Sequence, residues 1–244
     1  MVQMTESHLL VLDAGNHCID LVNRALRRLH KVMSKCGVPG YWNDRLSAAR
    51  VAFPNQITKL NKTHAYFTEY FTRRLRTLYR SNNKWMVGTL RTLTGTPGSM
   101  TIDPSNKHIY MAAYLYSNIE LVRLSINNGE NVTLASLPQK ETFLNENRTA
   151  AGFGSKVSLL SITNNVLFVS NNEFHKIRVI EIIRPGVVTI STICTGELSP
   201  ENSEKKKPID GCSIAFPGEM LRVDQYTVLV SSIWRLHAIQ LYGN

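Results

Sequence analysis

One two-stranded cassette recurs along this chain, and its recurrence limits the fold more than any other feature. Residues 166–180, VLFVSNNEFHKIRVI, hold a short apolar run, a polar turn and a second apolar run that alternates. The pattern occurs at 9–22 as LLVLDAGNHCIDLV, at 65–78 as AYFTEYFTRRLRTL, and at 109–122 as IYMAAYLYSNIELV. A degraded copy, TVLVSSIWRLHAIQL, covers 227–241. Each run is β-branched or aromatic and too short for a helix, so each cassette is a β-hairpin that cannot cover its own apolar residues.

Aligned on the first apolar residue of the second strand, Ile19, Leu75, Ile119, Ile177 and Leu236 fall in register at intervals of 56, 44, 58 and 59 residues. A four-stranded propeller blade needs about 40–45 residues. The longer intervals therefore carry inserted loops, at 37–52, 138–154 and 195–215, between the last strand of one blade and the first of the next. The fold class expected is all-β: a β-propeller of four-stranded antiparallel blades, in one domain over 1–244. Blade segments are placed at about 7–36, 53–90, 97–137, 153–194 and 214–242.

Complete blades read as strands at 55–60, 65–68, 74–78 and 86–90, then 99–103, 109–112, 119–126 and 132–137, then 157–162, 166–169, 177–182 and 187–193. The first blade is expected to supply its last three strands and the fifth its first three, so the chain is expected to be part of a longer one. Asp103-Pro-Ser-Asn106, Asn127-Asn-Gly129, Asn164-Asn165 and Arg184-Pro-Gly186 are turn formers at the boundaries. Residues 44–52 are expected to form a loop with at most one helical turn.

These residues resemble the NHL-repeat family, whose blades carry a strand, an Asp-x-x-Asn-His-like turn, then Arg/Lys-Ile-Arg-Val. The matches are Leu12-Asp13-Ala-Gly-Asn16-His17-Cys-Ile19 and His175-Lys176-Ile177-Arg178-Val179-Ile180. The family's interblade pattern resembles Gly37-Val-Pro-Gly40, Asp44 and Ala52-Phe53-Pro54, and again Asp210-Gly211-Cys-Ser-Ile-Ala215-Phe216-Pro217. The third and fifth cassettes lack the Asp-x-x-Asn-His turn. The resemblance implies a propeller that closes with six blades in most members. Of these, four to five are represented here. It says little of function, because propellers host unrelated activities.

In such a fold the turns between second and third strands share a face with the interblade loops. That face would carry His17; Tyr70, Phe71 and Arg73; Tyr114 and Tyr116; Phe174 and His175; and Trp234 with Arg235. Aromatics interleaved with cations suit a protein interface or the stacking of bases. The competing expectation is that the rings pack over neighbouring blades. The resemblance adds that some NHL domains bind single-stranded RNA or protein on this face.

The 28 Lys and Arg outnumber 18 Asp and Glu, giving +10 and a pI near 9.6. That balance favours acidic partners. Arg24, Arg27 and Arg28 form one basic patch, and Arg74 with Arg76 another, since alternate residues of a strand share a face. Lys205-Lys206-Lys207 is flanked by Glu201 and Glu204 and reads as a solvated loop.

The four cysteines have no C-x-x-C spacing. Cys18–Cys36 and Cys194–Cys212 are the pairings that repeat geometry allows, and they would imply an oxidising compartment; four reduced thiols is the alternative. The sequons Asn61-Lys-Thr63, Asn131-Val-Thr133 and Asn147-Arg-Thr149 make Asn61, Asn131 and Asn147 glycosylation candidates, at a frequency that chance also supplies. No basic-then-apolar leader and no run of about 18 apolar residues is present.

No metal site and no cofactor is expected. His8, His64 and His108 recur at one offset, which is repeat equivalence rather than a ligand cluster. No HExxH, no Gly-x-Ser-x-Gly and no phosphate-cradling glycine loop occurs. The sequence therefore points to a non-catalytic interaction scaffold, extracellular or in the secretory lumen, with another protein as partner. The alternatives are a cytoplasmic propeller that binds single-stranded RNA or another acidic ligand, and an amidating-lyase-like or esterase-like enzyme on the same scaffold. Oligomeric state is not legible.

Overall fold

In a computed structural model of the chain, the described residues are 1–23, 25, 28–30, 36–138, 153, 154, 156–184, 186–195, 212–233 and 235–241. Among them, twenty strands form five antiparallel sheets with no helix, and the fold class is the β-propeller. The chain divides into two compact units, Met1–Gly98 and Ser99–Asn244.

The Met1–Gly98 unit opens with a sheet of β1 (Val2–Thr5), β2 (His8–Asp13), β3 (Cys18–Asn23) and β4 (Arg28–His30), paired in that order. The expectation of three strands is corrected here. Met4 is buried, and β1 pairs antiparallel with β2 through Val2 and Gln3, so the first blade is complete.

The second sheet holds β5 (Asp44–Arg45), β6 (Pro54–Asn61), β7 (His64–Glu69), β8 (Arg74–Ser81) and β9 (Lys84–Thr92), in the order β5-β9-β8-β7-β6. The loop expected at 44–52 is thus partly a strand. Residues 41–51 cross to the outer edge of this blade, where Asp44 pairs with Val87 and Arg45 with Met86. Only a turn follows, with the Ala48 and Ala49 amides donating to the Arg45 carbonyl, both at 2.8 Å. Leu46, Ala49 and Val51 are buried in the unit's core beside Leu10, Ile19, Ala65, Phe67 and Leu78. Burial of three apolar side chains outweighs the loop-like composition of the segment.

The Ser99–Asn244 unit holds three sheets, β10 (Thr96–Ile102) entering it from the preceding residues. The first continues with β11 (His108–Tyr114), β12 (Asn118–Ser125) and β13 (Asn131–Pro138). The second is β14 (Val157–Ser161), β15 (Val166–Asn171), β16 (Lys176–Arg184) and β17 (Val187–Thr195). The third is β18 (Met220–Arg222), β19 (Thr227–Ser231) and β20 (Leu236–Gln240). Its cores gather Tyr110, Leu134, Leu167 and Ile180, and separately Phe168, Ile177, Val228 and Val230.

Two kinds of turn join second and third strands. After β2, β7 and β15 the turn ends on a left-handed residue: His17 at φ 55°, Arg73 at 51° and His175 at 50°. The last residue of each second strand organises the turn through its side chain. Asp13 Oδ1 accepts from the Asn16 amide at 3.1 Å, Glu69 Oε2 from the Thr72 hydroxyl at 2.6 Å, and Asn171 Oδ1 from the Phe174 amide at 2.9 Å. The third and fifth cassettes, which depart from the motif, turn more tightly. There Leu115 N–H donates to Asn118 C=O and Ser232 N–H to Arg235 C=O, both at 2.8 Å.

Disulfides join Cys18 to Cys36 and Cys194 to Cys212, with Cα atoms 5.4 and 5.1 Å apart.

Candidate functional site

The Met1–Gly98 unit concentrates the features of a binding surface on segment 41–50, which we term the strap, and on the turn at 70–73. The strap is held from beneath by Arg76. Its Nε donates to Gly88 C=O at 3.1 Å, Nη1 to Glu69 Oε1 at 2.6 Å, and Nη2 to Asn43 Oδ1 at 3.0 Å. Longer contacts of 3.5 and 3.4 Å reach the Arg50 and Trp42 carbonyls. Arg76 and Glu69 are both fully buried. Burial pushes the Glu69 carboxyl up and the Arg76 guanidinium down from their ordinary values, and the ion pair opposes both shifts. Gly40 allows the strap to close, because a Cβ there would lie 2.9 Å from the Arg50 Cβ.

Arg76 was expected in an exposed patch with Arg74, and this is corrected. The pairing of β8 with β7 is unbroken, so Arg74 and Arg76 do share a face, and Arg76 is enclosed because the strap closes over it. The break between Leu75 and Arg76 is a β-bulge on the β9 side, with Leu90 as its extra residue. The same break falls between Ile177 and Arg178, and Arg178 is likewise buried, 4.7 Å from the Phe153 ring centroid. Arg74 stays half-buried, its guanidinium 4.1 Å from the centroid of the Tyr41 ring.

Above the strap and turn, Tyr41 is 63% exposed, Trp42 65%, Tyr70 44% and Phe71 65%. Phe71 packs edge-on against Phe53 at 4.4 Å and Tyr70 at 5.1 Å, and Phe53 against His17 at 4.1 Å. The Phe53 amide donates to His17 Nδ1 at 3.2 Å, so His17 anchors the segment entering β6. Arg73 is exposed, with Nη1 3.4 Å from the Thr94 carbonyl.

In the second unit the same pairing returns. The Phe216 amide donates to His175 Nδ1 at 2.9 Å, and the rings meet edge-on at 4.0 Å. Phe53 and Phe216 are left-handed as well, at φ 49° and 51°. His175 is buried and Tyr114 half-buried, its hydroxyl accepting from the Val157 amide at 3.3 Å. The placement of these two on an open face is therefore corrected: they pack. Tyr116 is fully exposed, Phe174 half-buried, and Arg235 exposed with its amide donating to Ser232 Oγ at 3.2 Å.

Asn61 is exposed, its Oδ1 accepting from the Thr63 amide and hydroxyl at 2.8 and 2.9 Å, and Asn131 is exposed at the start of β13. Arg24, Arg27, Asn147 and Trp234 lie outside the described residues, and Arg28 is described by its backbone alone. Among the described residues no three His, Cys, Asp or Glu side chains gather where a metal could bind, and no helix is long and apolar enough to cross a membrane. Sequence reasoning missed Tyr41, Trp42 and the ring of Phe53. The repeated Ala-Phe-Pro at 52–54 and 215–217 was the available signal for the phenylalanines.

Charge is divided unequally. Met1–Gly98 contains fifteen Lys and Arg against five Asp and Glu, a balance of +10, whereas Ser99–Asn244 has thirteen of each. Arg45, Arg50, Arg73 and Arg74 make no ion pair among the described residues.

No protein-family model matches the sequence, and no curated protein matches it. Solved structures do. A protein of unknown function from Bacteroides thetaiotaomicron superposes with a TM-score of 0.64 at 14% identity, over 97% of this chain and 53% of its own. A chain of a nidogen/laminin complex gives 0.62 at 10% identity, over 97% and 72%. An auxiliary nutrient binding protein from Bacteroides ovatus gives 0.59 at 10% identity, over 89% and 51%. The chain spans about half the length of the first and third of these. At such identities the likeness carries the fold alone, and by that fold the chain is similar to β-propeller proteins.

Proposed function

We propose that this chain is a non-catalytic interaction module of NHL type, presenting its strap and turns to a protein partner in an extracellular or lumenal setting. The observation that carries the reading is the exposure of Tyr41, Trp42, Tyr70 and Phe71 on a strap and turn held from below by buried bonds; in the second unit Tyr116 is exposed on a turn as well. Exposed aromatics on a rigid support are the usual anchors of protein interfaces. The two disulfides support the oxidising setting. Exposed Asn61 and Asn131 suit glycosylation.

Site-specific photo-crosslinking tests it. A photoreactive phenylalanine at Tyr41 or Tyr116 is expected to join the protein to a partner from extracellular fluid or secretory-pathway extract, and the same group at Tyr226 is not. Equal crosslinking from all three positions, or none from any, would end the proposal.

A second reading rests on the charge of Met1–Gly98: a cytoplasmic module for single-stranded RNA, with the rings stacking bases. It requires steep weakening of RNA binding between roughly 50 and 200 mM salt.

A further inference from the structure

Resting on the interaction reading above, we infer that the strap and turn of the Met1–Gly98 unit take an acidic segment of the partner protein, its carboxylates over Arg73 and Arg74 and its apolar side chains over Trp42 and Phe71.

The +10 balance falls wholly within this unit, and its described side chains alone hold ten Lys and Arg against five Asp and Glu, a balance that favours an anionic partner. The cations beside the exposed rings are arginines, whose planar fork pairs with carboxylates through two bonds. Arg73 and Arg74 make no ion pair among the described residues. Arg74 already lies on the face of Tyr41, which fixes its guanidinium in place before a ligand arrives. Trp, Tyr, Phe and Arg together are the composition of an interface core.

Carboxylates are favoured over a phosphate backbone by Asp44. It lines the same groove as Tyr41, Trp42 and Arg50. A nucleic acid carries a charge at every nucleotide and would bring one against that carboxylate. A peptide can place its acids over the arginines and an apolar residue over Trp42. The support is rigid, because Arg76 and Asn43 tie the strap to β8 and β9, so little ordering cost attends binding.

The test uses fluorescence anisotropy on the full chain. The probe is a labelled peptide of glutamate pairs separated by tyrosine and leucine. A lysine-for-glutamate counterpart, an oligouridylate and a heparin oligosaccharide are compared with it. The acidic peptide is expected to bind, and to weaken as salt rises. R73E/R74E is expected to lose roughly tenfold or more in affinity, W42A/F71A to weaken binding with the salt dependence kept, and K84E, on the hairpin at the other end of β8, to bind as the parent does. Tighter binding of oligouridylate or heparin, or equal binding by R73E/R74E, would overturn the inference. If the peptide fails while Tyr116 still crosslinks to a partner, the acidic-segment inference falls and the interaction reading stands; if crosslinking from the loops fails too, both fall.

Discussion

Arg76 donates through Nη1 to Glu69 Oε1 at 2.6 Å, with both side chains fully buried beneath the strap. The pair links the end of β7 to the middle of β8, and Glu69 Oε1 also accepts from the Ala52 amide at 3.2 Å. One ion pair thus fixes the start and end of the segment that carries Tyr41 and Trp42.

Removing Arg76 strands a buried carboxylate and releases the Gly88 carbonyl and Asn43 Oδ1 as well. R76M is expected to lose about 3–5 kcal/mol of stability by urea denaturation. The double variant R76M/E69M is expected to recover part of that loss. It should still show a more mobile Trp42 by fluorescence anisotropy, because the strap has lost its anchor. Wild-type stability in R76M would remove the anchoring role.

Asp103 organises the turn between β10 and β11. Its Oδ1 accepts from the Lys107 and His108 amides, both at 2.8 Å, and Oδ2 accepts from Ser105 Oγ. Burial pushes this carboxyl up, but the Ser105, His108 and Lys107 donors together outweigh burial and hold it below the usual carboxylate range. Between the folded and unfolded values the unfolded chain binds more protons. The contribution is therefore present above the ordinary value, about 3.9, and is lost as pH falls toward the folded one. D103N is expected to flatten the acid limb of the stability profile relative to wild type. Parallel limbs would contradict this.

Each disulfide spans 18 residues. By loop closure, C18S/C36S is expected to cost about 3 kcal/mol, and C194S/C212S about the same. Intact protein should take up no alkylating reagent under denaturing conditions, and four equivalents after reduction, by mass spectrometry. Four equivalents before reduction would remove the support for an oxidising setting.

The repeated cassette was enough to place the all-β class, the order of strands and most of their positions. Hairpins recurring in register leave apolar faces that only neighbouring copies can cover. The apolar second strands at β7, β11 and β15 are buried on both faces, as their composition required. Cysteine positions within the repeat pointed to the pairings now seen, because equivalent strands bring Cys18 and Cys194 to equivalent places. Three things were decided in three dimensions. The strap became part of a sheet because β9 offered an unpaired edge and the core had room for Leu46, Ala49 and Val51. Arg76 was enclosed because the strap, with Asn43 lying 33 residues away in sequence, closed over the face it shares with Arg74. His175 was drawn from an open face into a packed pair with Phe216, 41 residues away, a contact that only the folded chain brings about. Local periodicity determines which faces are apolar, whereas long-range closure determines which polar groups are enclosed with them.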